Sequence, residues 1–171
     1  MKLELANITD LDKVMLIINE ARYRLKSQGL SQWNTKDGYP TILDMEKDIF
    51  YNHLYVVRNE QDILGCMAII KGIDENYQTI NGKWLSDNEY ITIHRIAVGN
   101  KALSKHIGAF MIDEAKKLLD IYQVDSIKAD THKDNKIMLK LLLNHGFIHC
   151  GQIELKSRED NKREAFEYKR N

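Results

Sequence analysis

Two adjacent features of this sequence could do chemistry: a strand-like run with a histidine and the loop that follows it into a helix. The strand spans Tyr90 to Val98 and carries His94, and Glu89 stands immediately before it. The loop from Gly99 to Gly108 contains two lysines and opens a helix. The first N–H groups of a helix have no partner within it, and the helix dipole adds partial positive charge there. This segment therefore predicts a ligand that bears phosphate groups.

His94 and Glu89 are the candidates for a general base on this strand. An imidazole changes its charge between about pH 5 and 8, so a histidine can accept a proton at neutral pH. The alternative for His94 is a structural histidine held by hydrogen bonds. The alternative for Glu89 is a solvated residue at the start of a strand.

Five further residues are candidate contacts for a small ligand. Trp33 and Tyr39 lie in an irregular stretch after the first helix, and Tyr77 and Trp84 lie in a later polar stretch. Aromatic rings in such places can hold an apolar or cationic group, or they can simply anchor loop packing. His132 follows a short strand, at the end of a sheet where ligands collect, and could contact a ligand together with Asp130 and Thr131. Alternatively, Asp130 and Thr131 could hydrogen-bond to the loop backbone.

Composition excludes several classes of protein. The 171 residues suit a single domain over 1–171, and the formal net charge of zero argues against a general nucleic-acid binder. No apolar run is long enough to cross a bilayer, and the first residues do not form a signal peptide, so we expect no membrane partner and a cytoplasmic location. Cys66 and Cys150 predict buried, reduced thiols. The scattered histidines predict no metal site.

Hydrophobic periodicity predicts a mixed α/β domain with seven strands and four helices. Strands are expected at 2–6, 54–58, 63–70, 90–98, 126–130, 148–155 and 165–169. Helices are expected from a Thr9 cap to Gly29, at 41–50, at 106–122, and from an Asp134 cap to Gly146. The strand-helix-strand unit from Tyr90 to Asp130 predicts a right-handed crossover between parallel strands.

Three segments together resemble the GNAT superfamily of N-acetyltransferases: Ile93 to Val98, the loop to Gly108, and Asp134 to Phe147. The resemblance covers nearly the whole chain and implies a twisted, mostly antiparallel sheet flanked by the four helices. Shorter matches resemble a bacterial branch of small GNAT proteins whose substrates are largely unassigned: Gln32-Trp33, Tyr39-Pro40, Trp84, His94-Arg95 and Asp130-Thr131-His132.

The resemblance implies acetyl-CoA as co-substrate and assigns its contacts to Ile96, Ala97, Val98, Leu103, Ser104, Lys105, His106, Ile107, Gly108, Ala109 and Asn135. GNAT proteins usually carry Arg or Gln in this loop, then two spacers, Gly, a spacer, and Gly or Ala. Alignment on Gly108 places Leu103 at the Arg/Gln position and His106 at the first Gly position. The usual glycine lets the backbone approach phosphate without an intervening Cβ.

The implied activity is transfer of an acetyl group to a primary amine of a small molecule, an amino acid or a peptide. Many relatives place a tyrosine general acid shortly before the Gly-Phe pair, but Leu141 and Leu142 occupy that region here. The altered loop and the absent tyrosine leave an alternative, a catalytically silent GNAT-fold module that binds CoA or a metabolite. The last strand could pair in a homodimer or simply close the sheet.

Overall fold

The computed structural model describes residues 1–34, 36–60, 62–156 and 160–170. Within them the α-helices are α1 (Leu11–Ser27), α2 (Ile42–Phe50), α3 (Ile107–Tyr122) and α4 (Lys136–Asn144). The strands are β1 (Lys2–Leu5), β2 (Leu54–Arg58), β3 (Ile63–Lys71), β4 (Asn81–Gly82), β5 (Tyr90–Val98), β6 (Ser126–Thr131), β7 (Ile148–Glu154) and β8 (Lys162–Lys169). Single turns of 3-10 helix lie at Ile8–Asp10, Glu75–Tyr77 and Asn100–Ala102.

The strands form one mixed sheet in the order β1-β2-β3-β5-β6-β8-β7-β4. β5 and β6 are parallel, as the crossover rule predicts, and the pairs β1–β2, β2–β3, β6–β8, β7–β8 and β4–β7 are antiparallel. The sequence predicts seven strands, and the additional one is β4. This strand has only two residues, which is too short to produce an alternating pattern.

The chain divides into two compact units, and β3 and β5 each contribute to both. The first unit comprises Met1–Ile69 and Arg95–Glu114. Its core is built by one face of α1 against apolar side chains of β2 and β3, because the buried residues of the helix recur at three- and four-residue spacing. The buried helix residues are Leu11, Val14, Ile17, Ile18 and Ala21.

Side-chain caps fix where the helices of the first unit begin. Thr9 is predicted to cap α1, but this is wrong: Asn7 accepts the Thr9 N–H at 2.9 Å and caps a 3-10 turn ahead of the helix. Asn competes successfully because its amide oxygen is a strong N-cap acceptor. At α2, Thr41 and Asp44 form a reciprocal capping box.

The second unit comprises Ile70–His94 and Ala115–Asn171. In it Tyr90 to Ile93 of β5 pair with Ser126 to Ala129 of β6. Helix α4 is capped by Asn135, whose side-chain oxygen accepts the Met138 N–H at 3.1 Å, so the predicted Asp134 cap is displaced by one residue. The helix ends before Gly146, which has a φ of 77° and so satisfies a left-handed position that favours glycine.

Cys66 and Cys150 are both buried and free, as their apolar surroundings predict. Burial raises the pKa of the Cys66 thiol to about 12. Among the described residues, no helix has the length and apolar character needed to cross a membrane.

Candidate active site

The C-terminal part of β5 lies unusually close to β3 in the first unit. A Cβ at Gly65 would stand 2.9 Å from the carbonyl oxygen of Ala97, so only glycine fits there without movement. Arg95 has a φ of 55°, which interrupts the regular alternation of β5 just before Ile96 and Val98. The backbone from Ile96 to Val98, which is predicted to line the acyl donor, therefore follows an irregular residue of β5 and lies close to β3.

A positively charged side chain, 14% exposed, lies at this irregular point. The Arg95 guanidinium contacts Asp48 of α2 at 2.6 Å and lies over the Tyr39 ring, 5.4 Å from its centroid. The Nε atom of Arg95 is buried without a hydrogen-bond partner among the described residues. This cluster fixes Arg95 in a left-handed conformation that a β-strand residue rarely adopts.

The loop after β5 presents an exposed backbone that leads into α3. Leu103, Ser104, Lys105 and His106 are all exposed, and α3 begins at Ile107. The Phe110 N–H bonds to the His106 carbonyl at 3.0 Å. The three N–H groups before it, at residues 107–109, thus have no carbonyl within the helix to accept them. A helix start of this kind attracts an anion through its free N–H groups and its dipole.

Two positions of this loop have left-handed backbone without being glycine. Ser104 has a φ of 66° and His106 a φ of 56°. His106 stands where the resemblance places the first glycine of the GNAT loop. The backbone thus keeps the conformation that glycine favours, although the residue carries a Cβ.

Helix α1 holds the beginning of the loop. The Arg24 guanidinium donates to the side-chain oxygen of Asn100 and to the carbonyl of Val98. Glu20 accepts the Asn100 N–H at 2.6 Å. Burial lowers the pKa of Arg24, and Glu20 opposes that shift. These two helix residues were not predicted, because nothing in the helical pattern distinguishes them from a solvated face.

The second unit contains a histidine–carboxylate pair. His94 Nε2 lies 3.1 Å from Asp74 Oδ2, and both side chains are about one-fifth exposed. Asp74 Oδ1 accepts the backbone and side-chain N–H groups of Asn76 at 2.8 and 3.0 Å. The Asp74 N–H donates to the Tyr90 hydroxyl at 3.1 Å. His94, predicted as a general base, is therefore held by a carboxylate that is itself fixed.

An aromatic cluster centred on Tyr77 lies beside this pair. Tyr77 lies 6.1 Å from the His94 ring, 6.4 Å from Tyr90 and 5.3 Å from Trp84, measured between centroids. The Tyr77 hydroxyl donates to Asp130 Oδ1 at 2.7 Å, and burial, followed by the charge of Asp130, raises its pKa well above the ordinary value. At neutral pH Tyr77 is thus protonated, and its hydrogen bond to Asp130 holds its ring near His94.

The structure distributes the other predicted residues among several environments. Glu89 is 76% exposed and pairs with Lys71 at 3.3 Å, which matches its alternative as a solvated residue at a strand start. His132 lies between Asp160, 3.2 Å from Nε2, and the Asp134 N–H, which donates to Nδ1 at 3.2 Å. Each ring nitrogen of His132 therefore has a partner: a carboxylate for Nε2 and a backbone N–H for Nδ1.

The predicted aromatic contacts also have structural partners. Trp33 packs against the core of the first unit, and its carbonyl accepts the Arg22 Nε–H at 3.1 Å. The Trp84 Nε1–H donates to the Tyr77 carbonyl at 2.9 Å. Lys128 is buried with its Nζ over the rings of Trp84 and Tyr90, 4.3 and 4.0 Å from their centroids. Loop packing thus involves each of these tryptophans.

Comparison with known proteins adds independent information. The family model described as "Acetyltransferase (GNAT) family" matches residues 18–147. A GNAT-family acetyltransferase structure from Streptococcus agalactiae is 30% identical, covers 99% of this chain and 95% of its own, and superposes with a TM-score of 0.89. One from Listeria monocytogenes is 20% identical, with coverages of 98% and 94% and a TM-score of 0.76.

A more distant structure is the NatC complex bound to Gag peptide and CoA. It is 12% identical, with coverages of 99% and 98% and a TM-score of 0.68, so it shares the fold. A comparison with curated protein sequences finds no match.

Proposed function

Because this chain belongs to the GNAT acetyltransferase family, we propose that it is an N-acetyltransferase with acetyl-CoA as co-substrate and a primary amine as acceptor. The acceptor would be a small molecule, an amino acid or a peptide. The observation that carries the proposal is the exposed loop from Leu103 to His106, which is left-handed at Ser104 and His106 and leads into the first N–H groups of α3.

The residues of this loop fit the pyrophosphate of CoA. Three N–H groups at the start of α3 lack carbonyl partners within the helix, and they can donate to phosphate oxygens. Lys101 and Lys105 are exposed beside them and add positive charge. CoA is present in the distant NatC structure, which is consistent with this use of the fold. Bound acetyl-CoA would supply the acetyl group as a thioester.

His94 is the side chain that best suits the proton transfer. An amine attacks only when neutral, so a base must accept one of its protons. His94 lies on β5 two residues before Ile96, the first residue assigned to the acyl donor, and is paired with Asp74. The N–H of Ala97 or Val98 is the candidate donor to the oxyanion of the tetrahedral intermediate. Glu89 remains a weaker candidate because it is solvated and paired with Lys71.

Calorimetric titration with acetyl-CoA, with free CoA as control, is the first test. We expect micromolar binding, followed by thiol release when a panel of amines, amino acids and peptides is added. Gly108→Asp should abolish binding, because it places a negative charge next to the pyrophosphate. Gly108→Ala is the matched control, since the family pattern accepts alanine there. Absence of binding at millimolar acetyl-CoA would refute the proposal.

The silent CoA-binding module is the second candidate function. Leu142 is fully buried in α4, in the region where many relatives carry a tyrosine acid. In an enzyme without this acid, the departing thiolate must take its proton from solvent or from another donor. Micromolar CoA binding without thiol release across the whole amine panel would select the silent module over the enzyme.

A further inference from the structure

We propose that Asp74 is a positioning residue that keeps the proton of neutral His94 on Nε2, so that Nδ1 is the atom that accepts the proton of the acceptor amine. This inference rests on the proposed function for its catalytic meaning. It adds a residue and an atom to that function, and no sequence motif indicated either of them.

The geometry gives Asp74 a single orientation. Its Oδ1 accepts two N–H groups of Asn76, and its own N–H donates to the Tyr90 hydroxyl. Only Oδ2 faces His94, with 3.1 Å between Oδ2 and Nε2. The carboxylate cannot turn away from the imidazole without breaking the bonds to Asn76, and it also caps the 3-10 turn at Glu75–Tyr77.

The charge of Asp74 decides which ring nitrogen carries the proton. Burial alone would raise the pKa of Asp74, but the hydrogen bonds from His94 and Asn76 outweigh it and lower that pKa. Asp74 is therefore an anion at neutral pH and can only accept hydrogen bonds. Nε2 must then be the donor, which leaves the lone pair of neutral His94 on Nδ1.

The Nδ1 atom has no hydrogen-bond partner among the described residues, whereas His132 has partners at both ring nitrogens. A histidine with a purely structural role would resemble His132. The His94 ring is also fixed sideways by Tyr77, which Asp130 anchors through the tyrosine hydroxyl. The charged and titratable groups around the ring are thus Asp74, Asp130, Tyr77 and, through Asp74, Tyr90.

The proton transfer balances without any further reactant. The amine nitrogen forms a bond to the acetyl carbon while one of its protons moves to Nδ1 of His94. The carbon–sulfur bond then breaks, and the departing CoA thiolate takes a proton from solvent. Asp74 stays ionised throughout and stabilises the imidazolium that forms, as the aspartate does in a serine-protease triad.

The first experiment is ¹⁵N-detected NMR of the His94 side chain in the full-length protein at alkaline pH. We expect the Nε2–H tautomer in the unmodified protein. Asp74→Asn should shift the population towards Nδ1–H, because the amide can donate to Nε2. Glu75→Gln is the matched control: this neighbouring acid is 80% exposed and should leave the tautomer unchanged.

Kinetics on the same proteins test the catalytic meaning. Asp74→Asn should lower kcat about ten- to hundredfold, less than the roughly 10²- to 10⁴-fold that loss of the base itself would cost, because His94 is still present. KM for acetyl-CoA should change less than about twofold. The double variant Asp74→Asn/His94→Gln should be no slower than His94→Gln alone, because the two residues act as a unit.

The outcomes separate this inference from the proposed function. An Nδ1–H tautomer in the unmodified protein would overturn the inference whatever the activity, and this measurement needs no variant to fold. Equal kcat in Asp74→Asn and the unmodified protein would also overturn it. Absence of turnover on every amine, together with the expected tautomer, would instead refute the enzymatic function and leave Asp74 as the residue that orients the ring.

Discussion

Replacement of His106 by glycine tests whether this loop binds phosphate even though a histidine stands where the family pattern has a glycine. His106 has a φ of 56° and is exposed at the start of α3. A side chain at this position strains the backbone and places a Cβ where the family pattern lets phosphate approach the chain. His106→Gly should therefore increase both the stability of the protein and its affinity for acetyl-CoA.

The two effects have different sizes. Left-handed backbone costs a residue with a Cβ roughly 1 to 2 kcal/mol, and the greater freedom of glycine in the unfolded chain offsets about 0.5 to 1 kcal/mol of the relief. The free energy of unfolding should rise by roughly 0.5 to 1 kcal/mol, which corresponds to about 1 to 4 °C in Tm for a chain of this size. One additional N–H to a phosphate oxygen, worth about 1.4 kcal/mol, would tighten acetyl-CoA binding roughly tenfold.

Thermal unfolding without ligand and calorimetry with acetyl-CoA measure the two effects separately. Ser104→Gly is the matched control, because Ser104 has a φ of 66° but stands at a spacer position of the family pattern. It should raise Tm similarly and give no gain in affinity. His106→Ala keeps the Cβ and should gain no affinity. If His106→Gly and His106→Ala weaken binding equally, the imidazole itself contacts phosphate and the reasoning about the Cβ is refuted.

Three further perturbations test other parts of the structure. Arg24→Lys replaces the two guanidinium nitrogens that serve the two acceptors at the beginning of the loop by a single ammonium nitrogen. Steady-state kinetics should then show a roughly three- to tenfold rise in KM for acetyl-CoA, and an unchanged KM would mean that the contact is dispensable. Gly65→Ala places a Cβ 2.9 Å from the Ala97 carbonyl and should lower the free energy of unfolding by about 1 to 3 kcal/mol in denaturant titrations. Burial raises the pKa of Cys66 from 9.0 to about 12 and also raises that of Cys150, so neither thiol should react with a disulfide reagent at pH 8 until the protein unfolds. Because the folded pKa of Cys66 is the higher one, its contribution to stability is complete below pH 9.0 and is lost as the pH rises towards 12, which alkaline unfolding should show.

Local patterns predicted most of the fold because most of its elements have strong local signals. The bounds of β2 and β5 agree with the predicted Leu54–Arg58 and Tyr90–Val98, since runs of β-branched and aromatic residues identify them. β4 was missed because its two residues gain their strand character only from pairing with β7. At the helix starts, Asn7 and Asn135 displaced the predicted caps because neighbouring polar side chains compete for the same N–H groups.

Part of the candidate site could be predicted from local sequence patterns, and part depends on residues that are distant in sequence. The loop after β5 was identified because a strand, a loop and a helix follow one another in sequence. The left-handed backbone at His106 lies where the resemblance places a glycine. The loop thus has the backbone conformation that glycine usually provides, although the residue is histidine. Asp74 was not identified, because it is 20 residues from His94 and lies in a polar stretch without periodicity.

The carboxylate that prepares His94 for proton transfer is thus the kind of residue that sequence reasoning is least able to find. A general base needs a partner that fixes its tautomer, and that partner can come from any loop that reaches the ring. Here the stretch after β3 supplies Asp74 and Tyr77, and each is fixed by a further contact: Asp74 by Asn76, and Tyr77 by Asp130. The same polar composition that marks this stretch as a loop also supplies the carboxylate.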